Sequence, residues 1–515
     1  MSKIFKNLLS SFLGQAIAIA LGLIIPRLIL TSFGSEINGL TNSTSQLFAY
    51  VALLEAGVGT ATLQALYAPL AQGNKDEING VLSATHCYYK RTGLVYLLCV
   101  LFLAIGYPLV VDTTIDTTTI ILVVLLQGLT GVLNYFFQGK YRILLQAEGK
   151  NYILTNLATM SQVLMGFGKV VVIYLGFDVV AVQAVALLAN VIQIVVILSY
   201  IKTKYKWVQL SVAPNFAAIN QKYDVLVAQI ATLIFNNTDV LLLTLFCDLK
   251  VVSVYSLYLM LCNMINSIVD SISSSLTFKF GELYHRDFDL FKKVQRIFEK
   301  YYIAIICMLY SVACVCLLPF IRLYTDGVTD ADYLNKFLPF SFVVMQVLSY
   351  VKRPYNQVVT LAQHFRQAKW RALIEAGINL TVSLVGVYYL GIFGVLLGSI
   401  VALLYRIFDL VLYSNRRIMK EKSTYSFLII GVNLLIAIGI VVLFYNYAQS
   451  QTYIELFLKA VAISVTAFMS FIFINALFNI RETRYILSAI KKYIGKLREK
   501  YHSKKQEKVK ENTDE

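Results

Sequence analysis

Apolar runs of 18 or more residues recur along nearly the whole chain, separated by short polar stretches. A helical run of that length crosses the roughly 30 Å of hydrocarbon in a bilayer. None of the runs alternates in the way a barrel strand does. A backbone in lipid must satisfy its own hydrogen bonds, so the runs are read as helices. They fall at 8–30, 42–66, 93–111, 119–138, 154–175, 179–200, 223–246, 252–276, 298–320, 337–361, 372–390, 392–413, 427–447 and 453–478. The pattern predicts an all-α, polytopic membrane protein with about fourteen transmembrane helices.

Charge orients these helices. Alternate loops hold Lys90 and Arg91, Lys140 and Arg142, Lys202 and Lys204, Lys292 and Lys293, Lys369 and Arg371, then Arg416 and Arg417. The intervening loops hold little beyond Lys250, Arg322 and Lys336. Lys and Arg mark the cytoplasmic face, so both termini are expected in the cytoplasm. The net charge of +16 belongs to that asymmetry and not to nucleic-acid binding. Composition agrees: 58% of the 515 residues are hydrophobic and 14% charged, against about 25% charged in soluble domains. The segment from Arg481 to Glu515 is a mixed charge run, read as a solvated helix end that touches anionic headgroups.

Little in the sequence offers bond-making chemistry. The seven cysteines form no C-x-x-C pair and the four histidines are scattered, which points to no metal site and no cofactor. There is no P-loop, no G-x-S-x-G motif and no loop long enough for a catalytic domain, so the chain is not expected to be an enzyme.

An internal repeat carries more weight. Tyr174-Leu175-Gly176 matches Tyr389-Leu390-Gly391, and Val185-Ala-Leu-Leu188 matches Val401-Ala-Leu-Leu404. The loop Ile143 to Gly149 faces Val358 to His364, and Thr31-Ser-Phe33 echoes Thr244-Leu-Phe246. Six helices per unit is even, so the two units share one orientation and form two parallel six-helix lobes around a central cavity. The expected division is 1–210 for the first lobe, 211–425 for the second, 426–480 for two extra C-terminal helices, and 481–515 for a basic tail.

Ionisable residues deep in these spans each cost about 2.5–3.5 kcal/mol on insertion scales and so point to function. The candidates are the cations Arg27, Lys169, Lys352 and Arg353 and the carboxylates Glu55, Asp239 and Asp270. Guanidinium forks phosphate in two places and lysine adds a point charge, so the cations suit an anionic substrate. The carboxylates would bind H⁺ or Na⁺, or balance the cations. Arg353 stands before Pro354, which removes a backbone donor and is expected to kink the tenth span. Arg406 and Asp409, at i and i+3, are placed to pair with each other. Asn236-Asn237-Thr238 before Asp239 is polar enough for a substrate contact or for hydrogen bonding between helices.

The run from Pro26-Arg-Leu-Ile-Leu-Thr-Ser-Phe-Gly to Leu40, then Leu54-Glu-Ala-Gly-Val-Gly59 and Leu66-Tyr-Ala-Pro-Leu70, resembles the opening of bacterial Wzx-type polysaccharide flippases. So do Asn237-Thr-Asp239 leading to Val254-Tyr-Ser256, and Glu375-Ala-Gly-Ile-Asn379 before Gly394-Val-Leu-Leu-Gly398. These flippases belong to the multidrug/oligosaccharidyl-lipid/polysaccharide (MOP) superfamily. The resemblance implies two rocking six-helix lobes that carry an undecaprenyl-diphosphate-linked oligosaccharide from the inner to the outer leaflet of the bacterial cytoplasmic membrane. Under it, Arg27, Lys169, Lys352 and Arg353 meet diphosphate or acidic sugars, while Glu55, Asp239 and Asp270 tune charge or couple an ion. Membrane lipids, a polysaccharide polymerase and glycosyltransferases are the partners it implies. The lipid II flippases look similar but favour basic residues where this chain has Glu55 and Asp270. The alternative is a cation-coupled multidrug antiporter of the same superfamily, whose substrates want a cavity dominated by acids.

Overall fold

The computed structural model describes residues 3–55, 58–219 and 237–478. Every regular element among them is helical: α1 (Lys3–Val51), α2 (Val58–Gln72), α3 (Lys75–Val110), α4 (Thr117–Leu133), α5 (Gly139–Ala147), α6 (Asn151–Tyr174), α7 (Val179–Lys204) and α8 (Asn237–Phe246). There follow α9 (Leu249–Arg286), α10 (Phe288–Tyr324), α11 (Phe337–Val351), α12 (Arg353–Leu361), α13 (Phe365–Leu390), α14 (Ile392–Leu412), α15 (Thr424–Phe444) and α16 (Tyr453–Phe478). Eleven helical segments among the described residues are long and apolar enough to cross a membrane, so the all-α, multi-pass reading stands. The other apolar stretches form shorter helices, such as α8, α11 and α12. Part of the expected seventh span, with Asn236, and the charged tail lie outside the described residues.

Local chemistry sets the helix ends. Asn74, Asp116 and Asp178 precede α3, α4 and α7, and each side-chain oxygen accepts from a backbone N–H three residues on, at 3.0–3.2 Å. Such caps are each worth about 1 kcal/mol. The most consequential break lies inside α1, where Gly34 has φ 83° and ψ 178°. Only glycine takes that conformation without strain, and it splits α1 into two limbs.

The two halves of the sequence share a backbone signature. The fourth expected span passes from α4 through a π-helical turn, Asn134–Gln138, into the nine-residue α5. The tenth passes from α11 through Lys352 into the nine-residue α12. Each short helix is followed by a positive-φ residue, Gly149 in one case and Gln363 in the other. The matched Tyr-Leu-Gly sequences likewise end α6 and α13 with the positive-φ glycines Gly176 and Gly391. At Pro354 the structure differs from expectation. The helix stops at Val351 and restarts at Arg353, so the proline occupies the first turn of a new helix, where its missing N–H is harmless. The Pro354 carbonyl accepts from the Gln295 amide at 3.0 Å.

The residues form two compact units. Unit 1 comprises Met1–Ile268, Phe320–Leu348 and His364–Phe408; unit 2 comprises Val269–Pro319, Ser349–Gln363 and Asp409–Glu515. In unit 1, α1 packs on α6, α3 on α4, and α7 on both α4 and α6. A Cβ at Gly14 would meet Thr159, and one at Gly166 would meet Leu21 and Ile25, so α1 and α6 run parallel in close register. After α7 the chain is strapped to α3: Asn79 bonds the backbone of Trp207 and Gln209, and Ser83 donates to the carbonyls of Leu210 and Val212. Beside this strap, burial opposes the charge of Lys150, yet hydrogen bonds to Glu148 and Tyr205 hold its ammonium above the ordinary lysine range. In unit 2, α15 packs on α16, joined by the reciprocal buried amides of Asn433 and Asn475.

Candidate functional site

Unit 1 contains a cavity of about 460 Å³ among α2, α3, α4 and α5, lined by Glu55, Tyr96, Asn134, Tyr135, Gln138 and Arg142. Glycines make it possible. A Cβ at Gly131 would fall 2.5 Å from the Tyr96 hydroxyl, and one at Gly139 2.5 Å from the Tyr89 ring. Tyr89 donates to Glu55 Oε1, and its ring stands edge-on to Tyr135 at 5.9 Å. The π-helical turn contributes Gln138, which is 1% exposed; its Oε1 has no partner among the described residues. Turns of this kind recur at binding sites because they push one side chain out of helical register. Glu55 and Arg142 give the cavity charges of both signs.

A second cavity in unit 1, about 300 Å³, lies between the two limbs of α1 and α9. Its polar lining consists of carboxamides and hydroxyls: Gln15, Asn42, Gln46, Asn263, Ser256 and Ser267. No charged side chain stands among the described residues that line it.

At one end of unit 1, hydrogen bonds link the first expected lobe (1–210) to the second (211–425). Asn38 donates to Ser253 at 2.6 Å, Ser253 to the Tyr333 hydroxyl at 2.7 Å, Tyr333 to Ser35 at 2.8 Å, and Ser35 Oγ to Asp330 at 2.6 Å. Burial pushes the Tyr333 phenol up to about 12, so it keeps its proton and donates at neutral pH. The kink at Gly34 frees the Ser35 N–H, which also donates to Asp330, at 2.7 Å. Two further links join the same lobes: Ser43 with Thr244 at 2.7 Å, and Tyr50 with Thr238 at 2.8 Å.

The expected site residues separate into groups. Glu55 lines the larger cavity. Asp239 is 5% exposed; its Oδ2 accepts from Tyr255 at 2.8 Å and from Ser399 at 3.0 Å. Asn379 donates to the same Ser399 hydroxyl at 2.9 Å. Asp239 Oδ1 and Asn379 Oδ1 are both buried with no hydrogen-bond partner among the described residues. Both residues thus reach the Ser399 hydroxyl and keep one buried oxygen unspent. Arg27 lies over the Tyr324 ring at 5.8 Å. Lys169 is half-buried on α6, within about a turn of the level of Arg27 by the α1–α6 register.

In unit 2 the structure brings Arg353 and Asp270 together as an ion pair. Arg353 stacks on Tyr350 at 3.8 Å, and the Tyr350 hydroxyl donates to Asp270 at 3.2 Å. Lys352 forms the junction between α11 and α12. Arg406, expected beside Asp409, has a carboxylate partner within unit 1 that the spacing did not suggest. Arg406 pairs with Glu375 at 3.1 Å, with both side chains buried. Helix α13 supplies a carboxylate against the guanidinium that sequence spacing alone does not reveal.

Sequence reasoning missed several residues. Arg142 read as a loop charge, whereas it lines the larger cavity. Gln138, Gln15, Gln46 and Asn263 carry no formal charge and so raised no flag. Asp330 and Tyr333 fell in a short loop with no motif.

No family model matches the chain, and no curated protein matches it in sequence. Solved structures do match in fold. The lipid II flippase MurJ, in an inward closed conformation, aligns with a TM-score of 0.69 at 14% identity, covering 92% of this chain and 99% of that one. An inward-facing multidrug resistance MATE family transporter of the MOP superfamily aligns with a TM-score of 0.63 at 18% identity, covering 79% of this chain and 96% of its own. An outward-facing one reaches 0.54 at 15% identity, covering 81% and 96%. The chain is a multi-pass membrane protein with a MurJ/MATE-like fold.

Proposed function

We propose that the chain is a transporter that flips an undecaprenyl-diphosphate-linked oligosaccharide across the bacterial cytoplasmic membrane for surface polysaccharide synthesis. The observation that carries the reading is the pairing, within one bundle, of two polar cavities with a hydrogen-bonded relay that links the two expected lobes at one end. Alternating access needs this: a water-filled path open to one side and closed to the other. The fold likeness to a lipid II flippase supports it. With the basic loops taken as cytoplasmic, the relay would lie at the outer end of unit 1.

On this reading Arg142 and Lys169, with Arg27, meet the diphosphate, while Arg353 is held by Asp270 in this state. Asp239 takes H⁺ or Na⁺ on its unspent oxygen and couples an ion gradient to the rocking motion. The polymerase and glycosyltransferases of the same pathway are its expected partners. The likeness to MATE transporters favours a second reading, a cation-coupled drug antiporter, and the buried carboxylate Asp239 suits it. An amide-lined cavity does not, because cationic drugs need acids to neutralise them.

The test is a deletion strain assayed for surface polymer and for lipid-linked repeat units held in the inner leaflet. Loss of polymer with inner-leaflet accumulation is expected. Unchanged polymer in a strain without a second flippase, together with altered drug tolerance, would move the assignment to the antiporter.

A further inference from the structure

We propose that the 300 Å³ cavity between the limbs of α1 and α9 selects lipid-linked glycans whose sugar at this level is uncharged. The inference rests on the flippase reading and names the class of glycan that the flippase accepts. A central path for diphosphate-linked glycans is expected to be cationic, as the sequence suggested; this part of it is not. Its polar groups are four carboxamides, Gln15, Asn42, Gln46 and Asn263, with two methionines, Met260 and Met264, beside them.

The chemistry of those groups decides what fits. A carboxamide offers a donor and an acceptor together, as a sugar hydroxyl does, so each can satisfy the other in either orientation. A phosphate or a uronate is acceptor-only and charged. Placed here it would meet amide carbonyls with no cation to balance it, and burying an unpaired charge is among the costliest steps available. Most of the amide groups are available: Gln15 and Gln46 make no side-chain hydrogen bond among the described residues, Asn42 spends only its N–H₂, on Asn38, and Asn263 accepts from Asn266 through its Oδ1. Met260 and Met264 are flexible, polarisable surfaces for the C–H faces of a sugar ring. The volume lies at the lower end of ligand sites, about 300–1,000 Å³, so the cavity takes one or two sugar units and not the whole glycan.

Position supports the assignment. At about 1.5 Å per helical residue, Arg27 lies roughly 12 Å beyond Ile19 on the first limb, and Glu55 with Arg142 stands past Gln46, after the second limb ends at Val51. Charged groups therefore lie beyond this level in both directions along the chain. A diphosphate is left to the cations among them, Arg27 and Arg142, and the amides read the sugar.

The experiment uses the purified full chain in proteoliposomes with two probe lipids. One is an undecaprenyl-diphosphate trisaccharide of neutral hexoses; the other carries a uronic acid in place of one hexose. Flipping is followed by access of a membrane-impermeant diol-cleaving oxidant. The wild type is expected to move the neutral probe about tenfold faster or more, since like-charge or uncompensated contacts cost several kcal/mol. Gln46→Lys should move the neutral-to-acidic rate ratio toward the acidic probe by about tenfold, and the near-isosteric Gln46→Glu should move it the other way. Should Gln46→Lys fail to fold, Gln46→Glu carries the test alone. A wild type that prefers the acidic probe, or a ratio that Gln46→Glu leaves unchanged, overturns the inference. A wild type that moves neither probe overturns the flippase reading with it, and so marks that failure apart from the other.

Discussion

The two cavities of unit 1 draw on neighbouring stretches of chain, one on α1 and the other on the turn that follows it, yet present different chemistry. The 460 Å³ cavity combines Glu55, Arg142 and the two tyrosines Tyr96 and Tyr135. The 300 Å³ cavity, between the limbs of α1 and α9, offers amides, hydroxyls and apolar side chains, with no charge among its described lining residues. On the flippase reading, the difference teaches that a membrane path for a charged lipid need not be charged along its whole length. Ionisable side chains are costly to bury, so they stand where a charge must be met. Amides, which cost less, line the stretch where hydroxyls must be matched.

Breaking the charged cavity should have the largest effect. Glu55→Gln keeps the hydrogen bond from Tyr89 but removes the charge, so it should lower the flipping rate about tenfold or more while expression and melting temperature stay close to wild type. Glu55→Ala should in addition destabilise by about 1–3 kcal/mol, because the buried Tyr89 hydroxyl loses its acceptor. If Glu55→Gln flips at the wild-type rate, the residue serves packing alone.

Next in size is the close packing that shapes the charged cavity. Gly139→Val places a side chain where Tyr89 already stands, and overpacking of this kind costs about 1–3 kcal/mol. The readout is a lower melting temperature in detergent, with transport lost in proportion to the folded fraction. A melting temperature equal to that of the wild type would mean that the larger cavity does not depend on this close approach.

A smaller effect is expected at the hydrogen-bonded end, beyond both cavities. Asp330→Asn removes the charge from the two bonds that Ser35 donates, weakening the closure by about 1–2 kcal/mol. Cysteine labelling from outside, at a position introduced into the second limb of α1, should speed up several-fold. Unchanged labelling would show that the relay does not hold that end shut.

The smallest effect is predicted for the pair in unit 2. Arg353 and Asp270 are 39% and 48% exposed, so solvent screens them. A double-mutant cycle with Arg353→Ala and Asp270→Ala should give a coupling of about 0.2–1 kcal/mol in stability. A coupling of several kcal/mol would move this pair into the same class as the buried charges.

Fold and site were legible in the sequence to different degrees. Apolar run length exposed the helices, because a bilayer imposes one length on every crossing. The matched Tyr-Leu-Gly sequences marked equivalent helix ends, and both carry a positive-φ glycine. Glu55 and Asp239 were found because a carboxylate in an apolar run stands out. The amides did not stand out: hydropathy barely registers a Gln or an Asn, and only the packing of three helix segments shows that four of them share one space.

By itself, then, the sequence determined that this is an all-α, multi-pass membrane protein, and it marked Asp239 and Arg406 among the ionisable groups that the fold buries, but not Lys140, Glu299 or Lys300. Those facts depend on run length and on single residues, which are local properties. Which charges pair was decided by the tertiary structure alone. Arg406 meets Glu375, a partner 31 positions away in the sequence, and Arg353 meets Asp270 from another helix. The break at Lys352, the relay from Asn38 to Asp330 and the separation of a charged cavity from an amide one are of the same kind. Each depends on which faces of distant helices come together, and side-chain hydrogen bonds, reaching only about 3 Å, form only after packing has brought those faces into contact.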